Sequence, residues 1–400
     1  MRHTRMLCWI ATAAVALAGC AQVHEPVDDY IVLGMDEDST GPGASYSTIA
    51  GSTVRATVAR INAAGGINGK EVRLVVENDE SSPTNTPSVI RKLVDQGASA
   101  IILSTGSGSA LQAKQISQST GIVTIAPTAL TDTVAGPPGN EFAYMAPNPL
   151  AQYADVYCGA FEAQGRKRLG VIADSSPAIS GILNTLDPRL RKCIDIVGTQ
   201  KAAVDAADLT AGVSRLLDSD PDVVLVASVG GNFELLAQNT VHRLAPDLQR
   251  FSLASIGNQP ASWKLAQPGA LDGLVYMGSL SADNRRTAEL QNWLRTVKGP
   301  GYSLTAYDAQ AYDSVMLLAR AIELAGTHTD PHLLNRAMQE IRDVPASFGQ
   351  SPLTLSFSPD KHIAPDSACG LVLIEFGSDN TPAGPWSEYQ PQCSNKGAQR

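Results

Sequence analysis

From residue 30 onward the chain alternates short apolar runs with amphipathic stretches, and this alternation constrains the fold more than any other feature. Residues 30–35 form an apolar run of strand length that leads into a Gly/Pro-rich loop. Residues 48–63 carry helical spacing, with Ile49, Val54, Val58 and Ile61 on one stripe and Arg55 and Arg60 off it. The glycines of 65–69 stop that helix, because glycine takes positive φ without steric cost. The same rhythm predicts strands at 72–77, 100–103 and 123–126, and helices at 87–96 and 111–119. Continuous apolar strands between amphipathic helices imply a parallel sheet covered on both faces.

The alternation restarts at residue 148. Asn148-Pro149 reads as an N-cap with proline at the first helical position, opening a helix towards Gln164. Strands are expected at 168–173, 194–198, 223–227 and 251–256, with helices at 179–191, 209–217 and 233–244 between them. Helices follow at 288–298, 309–325 and 333–342, then β-type runs at 353–357 and 370–376, and a Pro/Ser/Gly-rich loop. Two restarts of one pattern predict an α/β fold of two Rossmann-like doubly wound lobes. The expected division is 30–147 plus 281–345 for lobe 1, 148–280 plus 346–380 for lobe 2, and 381–400 as a C-terminal tail. Such sheets bind ligands beyond the carboxyl ends of their strands. The cleft is therefore expected at the loops after Met35, Leu103, Ile125, Ala173, Val226 and Ile256.

The first residues have a different character. Arg2 and Arg5 precede an apolar stretch over 6–18, too short for a comfortable membrane span, and small residues lead into Cys20. That is the layout of a secretory leader over 1–19. Leu17-Ala18-Gly19-Cys20 resembles the bacterial lipobox, which implies a lipid on Cys20 and cleavage before it; an ordinary signal peptide that carries a cysteine is the other reading. Residues 20–29 are polar and patternless, as a flexible tether would be. The formal net charge is −9, and loss of Arg2 and Arg5 makes the mature chain more acidic still, which argues against a nucleic-acid partner.

Four cysteines remain besides Cys20 and Cys8 of the leader: Cys158, Cys193, Cys369 and Cys393. An even number in an exported chain suggests disulfides, and sequence alone leaves three connectivities. Locality favours Cys158–Cys193 and Cys369–Cys393. Their spacing fits no zinc or redox signature, so no metal is expected.

Catalytic motifs are not found. Gly106-Ser107-Gly108-Ser109-Ala110 fails the nucleophile-elbow pattern at its last position, and lacks both the lysine of a P-loop and the third glycine of a dinucleotide fingerprint. It reads either as a loop whose backbone approaches a ligand or as a plain βα turn. His328-Thr-Asp-Pro-His332 contains a helix-breaking proline and reads as a loop. Asp36-Glu37-Asp38 directly follows the first predicted strand. It reads either as a solvated acidic loop or, with Asp36 foremost, as a counter-charge for a cationic ligand group; Asp132 is a second candidate of that kind. No nucleophile–base–orienter set can be assembled, so neither an enzyme nor a cofactor is expected.

The run GPGASYSTIAGSTVRATVARINAAGGINGKEVRLVVENDESSP, above all INAAGGINGKEVRLVVEND, and the stretch AIILSTGSGSALQAKQISQSTGIVTIAPTAL resemble the leucine/isoleucine/valine-binding proteins, the type I periplasmic solute receptors of ABC importers. The resemblance implies two lobes joined by three crossings, a hinge that closes on a small solute, and permease subunits as partners. A monomer held at the membrane through Cys20 is expected. Carried over by motif, Ser107 matches the family's carboxylate-binding serine, with Thr105 and Gly106 beside it. Thr128-Ala129-Leu130 occupies a ligand-binding turn, and Tyr46 a tyrosine that borders the ligand.

This chain departs from the family at Leu130, where a threonine is usual, and at Ala178 and Val229, where aromatics are. In the segment FSLASIGNQ, which includes Asn258, Ser255-Ile256 stands where the family's ammonium-pairing glutamate would be. These departures imply a carboxylate- or amide-bearing solute, larger or more apolar than the family's amino acids, without a free α-amino group or with its positive charge elsewhere. A lipoprotein that senses a solute and signals to a membrane partner is the alternative to transport.

Overall fold

Strands rich in β-branched residues, such as AIILS, VTIA and VVLVA, form the buried centres of two sheets in the computed structural model, which describes residues 29–391. In chain order the elements of the first lobe are β1 (Tyr30–Glu37), α1 (Ala44–Ala63), β2 (Glu71–Glu77), α2 (Thr86–Asp95), β3 (Ala100–Ser104), α3 (Ser107–Thr120), β4 (Val123–Ala126) and β5 (Ala143–Met145). The second lobe follows with α4 (Leu150–Ala163), β6 (Arg168–Asp174), α5 (Pro177–Leu190), β7 (Asp195–Ala202), α6 (Thr210–Leu217) and β8 (Val223–Ala227). It continues through α7 (Gly231–Leu244), β9 (Gln249–Ser252), α8 (Pro260–Trp263) and β10 (Val275–Gly278). The chain then gives α9 (Arg285–Lys298), α10 (Ala306–Ala325), α11 (Pro331–Glu340), β11 (Val344–Pro345), β12 (Thr354–Leu355), β13 (Val372–Phe376) and β14 (Pro382–Pro385).

The first sheet has the order β2-β1-β3-β4-β5, all parallel. The second has the order β14-β13-β10-β9-β8-β6-β7, with β13 and β14 antiparallel at one edge. Each sheet buries both faces. Under one face of the first sheet Val54 and Val58 of α1 pack with Val315, Leu318 and Ile322 of α10; under the other lie Ile90 and Leu93 of α2 with Ala110 and Ala113 of α3. The second sheet is sandwiched between Tyr157 and Phe161 of α4 with Leu183 of α5 on one side, and Val213 of α6 with Phe233 of α7 on the other. No helix among the described residues is long and apolar enough to cross a membrane.

The helix α1 ends as the glycines foretell: Gly65 and Gly66 have φ of 102° and 77°, and the Gly66 N–H returns to the Ile61 carbonyl at 2.9 Å. Three segments cross between the lobes and touch one another. Asn148 donates to the Ser367 carbonyl at 2.9 Å, the Gly349 N–H to the Ser279 carbonyl at 2.7 Å, and the Gln350 N–H to the Cys369 carbonyl at 2.8 Å.

Several expectations change here. Asn148 is not an N-cap: that position belongs to Pro149, and the Asn148 side chain is committed to Gln152 and to the third crossing. The strand expected at 251–256 stops at Ser252, and Ile256–Asn258 coils into a 3₁₀ turn tied by the Asn258 side chain to the Ala254 carbonyl at 2.9 Å. Residues 346–369 do not lie under the second sheet. Ala346, Phe348, Leu353, Leu355 and Phe357 fill the core beneath the first, and the chain joins the second core only at Leu371. The tail is not all loop, because β14 pairs with β13 and Trp386 packs edge-on against Phe251 at 5.4 Å.

The Cys158–Cys193 disulfide ties α4 to the approach to β7 across a sequence separation of 35, a bridge of the kind worth about 2–4 kcal/mol. Cys369 is also disulfide-bonded; Cys393, its expected partner, lies outside the described residues. So do the leader, Cys20 and all but the last residue of the expected tether.

Candidate functional site

In each sheet the chain winds one way from its first strand and the other way from its third, so a crevice opens at the carboxyl ends between β1 and β3, and between β6 and β8. Of the residues singled out in the sequence, Thr105, Gly106 and Ser107 follow β3, and Val229 follows β8, at these switch points.

In the first lobe, Gly106 is the N-cap of α3 and Ser107 its first residue. The Gly106-Ser107 stretch is therefore a strand-to-helix turn, and no side chain caps the helix. The first-turn N–H groups of such a helix have no intrahelical acceptor. The Ser107 hydroxyl accepts from the Leu130 and Thr131 N–H groups at 3.1 and 3.3 Å, which leaves its own proton free to donate outward. Tyr46, in the first turn of α1, crosses over Gly106: a Cβ at that position would lie 2.8 Å from the Tyr46 hydroxyl. Glycine is required there so that the ring and the helix start can approach. Thr105 is buried and donates to Asp38 Oδ1 at 2.6 Å, while Thr128 donates to the Thr105 carbonyl at 2.8 Å. Those two hydroxyls brace the floor of the crevice. Ala129 is fully buried in the first-lobe core, so only its backbone is placed near the crevice. Leu130 reaches across and packs against the second-lobe core.

In the second lobe, the Val229 N–H donates to Asp174 Oδ2 at 2.8 Å, and Gln259 clasps the same loop by donating to the Val229 carbonyl at 3.0 Å and accepting from Gly231 at 2.7 Å. Ser255 donates to the Ser228 carbonyl at 2.9 Å, and Asn258 accepts from the Ala306 N–H at 2.8 Å. Ala178 sits exposed in the first turn of α5, and no contact joins it to the others.

Tyr307 links the two halves, and sequence reasoning missed it. Its ring lies 5.7 Å from that of Tyr46, and Ser255 and Asn258 face its hydroxyl. Burial raises Tyr307 to about 12, against the lowering effect of those two partners. The position is fixed by a capping box in which Thr305 and Asp308 each serve the other's backbone N–H, with Lys298 held to Asp308 at 2.8 Å. The signal was available as Thr305 three residues before Asp308. The helix expected only from residue 309 left Tyr307 in a connection.

Asp132 does not join the crevice. It ties the lobes beside the first crossing, accepting from the Ala151 N–H at 3.2 Å and pairing with Arg189 at 3.1 Å.

The sequence pattern of the periplasmic binding proteins matches residues 31–368. The chain belongs to the periplasmic binding protein family. That family is one of solute-binding proteins, not enzymes. This binding protein is 24% identical over 366 residues to Leu/Ile/Val-binding protein homolog 1 of Brucella abortus, covering 85% of this chain and 89% of that one. It is 22% identical over 356 residues to Leu/Ile/Val-binding protein BraC3 of Rhizobium johnstonii, covering 85% and 90%. In fold it matches a type 1 periplasmic binding protein of Bordetella pertussis with a TM-score of 0.74 at 21% identity, over 91% of this chain and 99% of that one. It also matches the substrate-binding protein LivJ of Streptococcus pneumoniae, solved with isoleucine, with a TM-score of 0.75 at 19% identity, over 90% and 100%.

Against that background the acidic run of this binding protein is unexpected. It is not solvated, and only Asp38 lies past the strand: β1 continues through Glu37, pairing Asp36 with Glu77 and Glu37 with Ser104. All three side chains are buried, at 0, 3 and 0% exposure for Asp36, Glu37 and Asp38. Strand alternation separates them. Glu37 turns to one face and pairs with Arg55 of α1, while Asp36 and Asp38 meet Asp79. Burial, then the charges of Asp79 and Asp38, push Asp36 up to about 9. Burial and the Asp79 carboxyl raise Asp38 to about 7, against the Thr105 hydroxyl that lowers it. Burial, with the charge of Asp38 next, carries the Tyr46 phenol well above its ordinary range.

Proposed function

We propose that this chain is the extracytoplasmic receptor of an ABC importer, released from its leader at residues 1–19 and held at the membrane by a lipid on Cys20. It works as a monomer that takes up a small organic solute between its lobes and presents it to permease subunits. The single observation that carries the solute chemistry is the uncapped start of α3 beside Ser107, in the switch-point crevice of the first sheet. Free helix N–H groups and an outward hydroxyl proton suit a carboxylate or amide oxygen. The solute-contacting set is Tyr46, Gly106, Ser107 and the Ala129-Leu130 backbone from the first lobe, with Val229, Ser255, Asn258 and Tyr307 facing them.

An ordinary α-amino acid is disfavoured. Ser255 spends its hydroxyl on the Ser228 carbonyl, Leu130 is apolar, and the buried acids of the first lobe lie behind Thr105 rather than in the opening. An ammonium group taken from water would meet no counter-ion there, which costs several kcal/mol.

Native mass spectrometry of protein purified without refolding is expected to show a co-purified acid or amide. Titration calorimetry with leucine, isoleucine and valine is expected to give no binding tighter than about millimolar; micromolar binding of any of them would overturn the ligand class. Cys20→Ser is expected to release the protein from membranes, and unchanged membrane retention would refute the anchor.

A further inference from the structure

Three carboxyl groups, Asp36, Asp38 and Asp79, meet behind the first-lobe floor, all fully buried. Asp79 is well held, its Oδ1 accepting from the Ser81 N–H at 2.9 Å and its Oδ2 from the Thr86 hydroxyl at 2.7 Å. The other two are not: neither Asp36 oxygen nor Asp38 Oδ2 meets a donor at good hydrogen-bond geometry, and the Asp79 N–H beside Asp36 and the Ser81 hydroxyl beside Asp38 offset only part of the effect of burial. No Lys or Arg side chain pairs with any of the three among the described residues; Arg55 is turned to Glu37 on the opposite face of β1. The groups that face the cluster from neighbouring elements are the Tyr46 phenol of α1, the Thr105 hydroxyl after β3 and the Ser81 hydroxyl after β2. A buried carboxylate short of donors and without a cation is relieved most cheaply by taking up a proton, and adjacent carboxyls share one when they cannot all ionise.

We propose that Asp36 and Asp38, packed against the Asp79 carboxylate, are a proton-holding pair that governs the first-lobe floor of the cleft, closed and rigid while protonated and loosened when it ionises. The route from cluster to floor is short. Asp38 holds Thr105, whose carbonyl accepts from Thr128, and the next residue, Gly106, starts α3. Gly43 is matched to the same cluster, since a Cβ there would collide with the Asp38 carboxylate and lie 2.9 Å from the Tyr46 hydroxyl. Because Asp36 and Asp38 are raised to about 9 and about 7, the folded state keeps protons that the unfolded chain releases near its ordinary carboxyl range. Stability therefore falls as pH rises from about 4 towards 9 and levels off above that. In the physiological range it is Asp38, the group that touches the floor, that titrates.

The consequence for capture rests on reading this cleft as the solute site, but the test needs no solute, so the two can fail separately. The mature chain, Asp36→Asn and Asp38→Asn are compared between pH 5 and 9 by thermal unfolding, by infrared difference spectra in the carboxylic-acid C=O region, and by hydrogen exchange over residues 104–111 corrected for intrinsic rate. A difference spectrum is needed because burial also raises Asp313 and Glu234. The parent is expected to lose about 2–4 °C or more in Tm from pH 6 to 9, and Asp36→Asn to lose less. The parent-minus-variant spectrum at neutral pH should contain a protonated-carboxyl band. Exchange over 104–111 should rise by about tenfold in the parent between pH 6 and 9 and stay flat in Asp38→Asn. A missing band, or parallel pH profiles for parent and variants, would overturn the proposal. So would a parent Tm that rises with added Ca²⁺ or Mg²⁺ and falls with chelator, which would make the cluster a cation site. If one variant does not fold, the parent's own pH profile and the other variant decide.

Discussion

The two switch points have the same strand order and both bury acids, but they differ in how those acids are partnered. In the second lobe the buried acids are fully partnered: Asp174 accepts from the Ser176 and Val229 N–H groups, and Glu234 from Ser228, Gln238 and Ser252. The helix after β6 is capped, with the Ser176 hydroxyl accepting from the Ile179 N–H at 3.2 Å, whereas α7 after β8 starts without a side-chain cap. In the first lobe Asp36 and Asp38 keep orphaned oxygens, and α1 and α3 both start without a side-chain cap. Hydrogen-bonded acids fix the floor of the second-lobe crevice. Unpartnered acids leave the first lobe with protons held in reserve.

The comparison can be broken by measurement. Removing the Cys158–Cys193 bridge by a double alanine substitution is expected to cost about 2–4 kcal/mol in urea unfolding while leaving hydrogen exchange in the first lobe unchanged; loosening of both lobes together would show that they do not stand apart.

A sharper test applies one substitution to both sites. Asp174→Asn turns one of two acceptors into a donor facing an N–H, for an expected loss of about 1–3 kcal/mol. Asp36→Asn replaces a carboxyl short of donors and is expected to be neutral or to gain about 1 kcal/mol at pH 8. Losses of equal size would erase the distinction. Ser176→Ala, at the capped helix, is expected to cost about 1 kcal/mol. The smallest effect belongs to Tyr307→Phe: about 0.5–1 kcal/mol of stability, with the main change in solute affinity as Ser255 and Asn258 lose the phenol they share.

Much of this was legible in the residues, and the failures have common causes. Strands 123–126 and 223–227 are as expected, because each is an uninterrupted apolar run bounded by turn residues. Both lobes and the Ser107 turn followed from the alternation and the resemblance. Asp36-Glu37-Asp38 misled because acidic residues after an apolar run normally signal solvent, whereas here Arg55 and a shared proton let the strand continue inside. Asn148 has the side chain of a cap, but a crossing segment far away in sequence claims it. Ala178 was carried over by motif, and its place in the exposed first turn of α5 was not part of that reading.

By itself, then, the sequence determined the class of fold and its two-lobed repetition, since periodicity and turn chemistry are local properties. Tertiary structure decided which lobe holds residues 346–369, that Tyr307 bridges the cleft, and that three aspartates share one interior. Those outcomes depend on which distant segments meet, and the charge state of a buried carboxyl depends on its neighbours in space rather than in sequence.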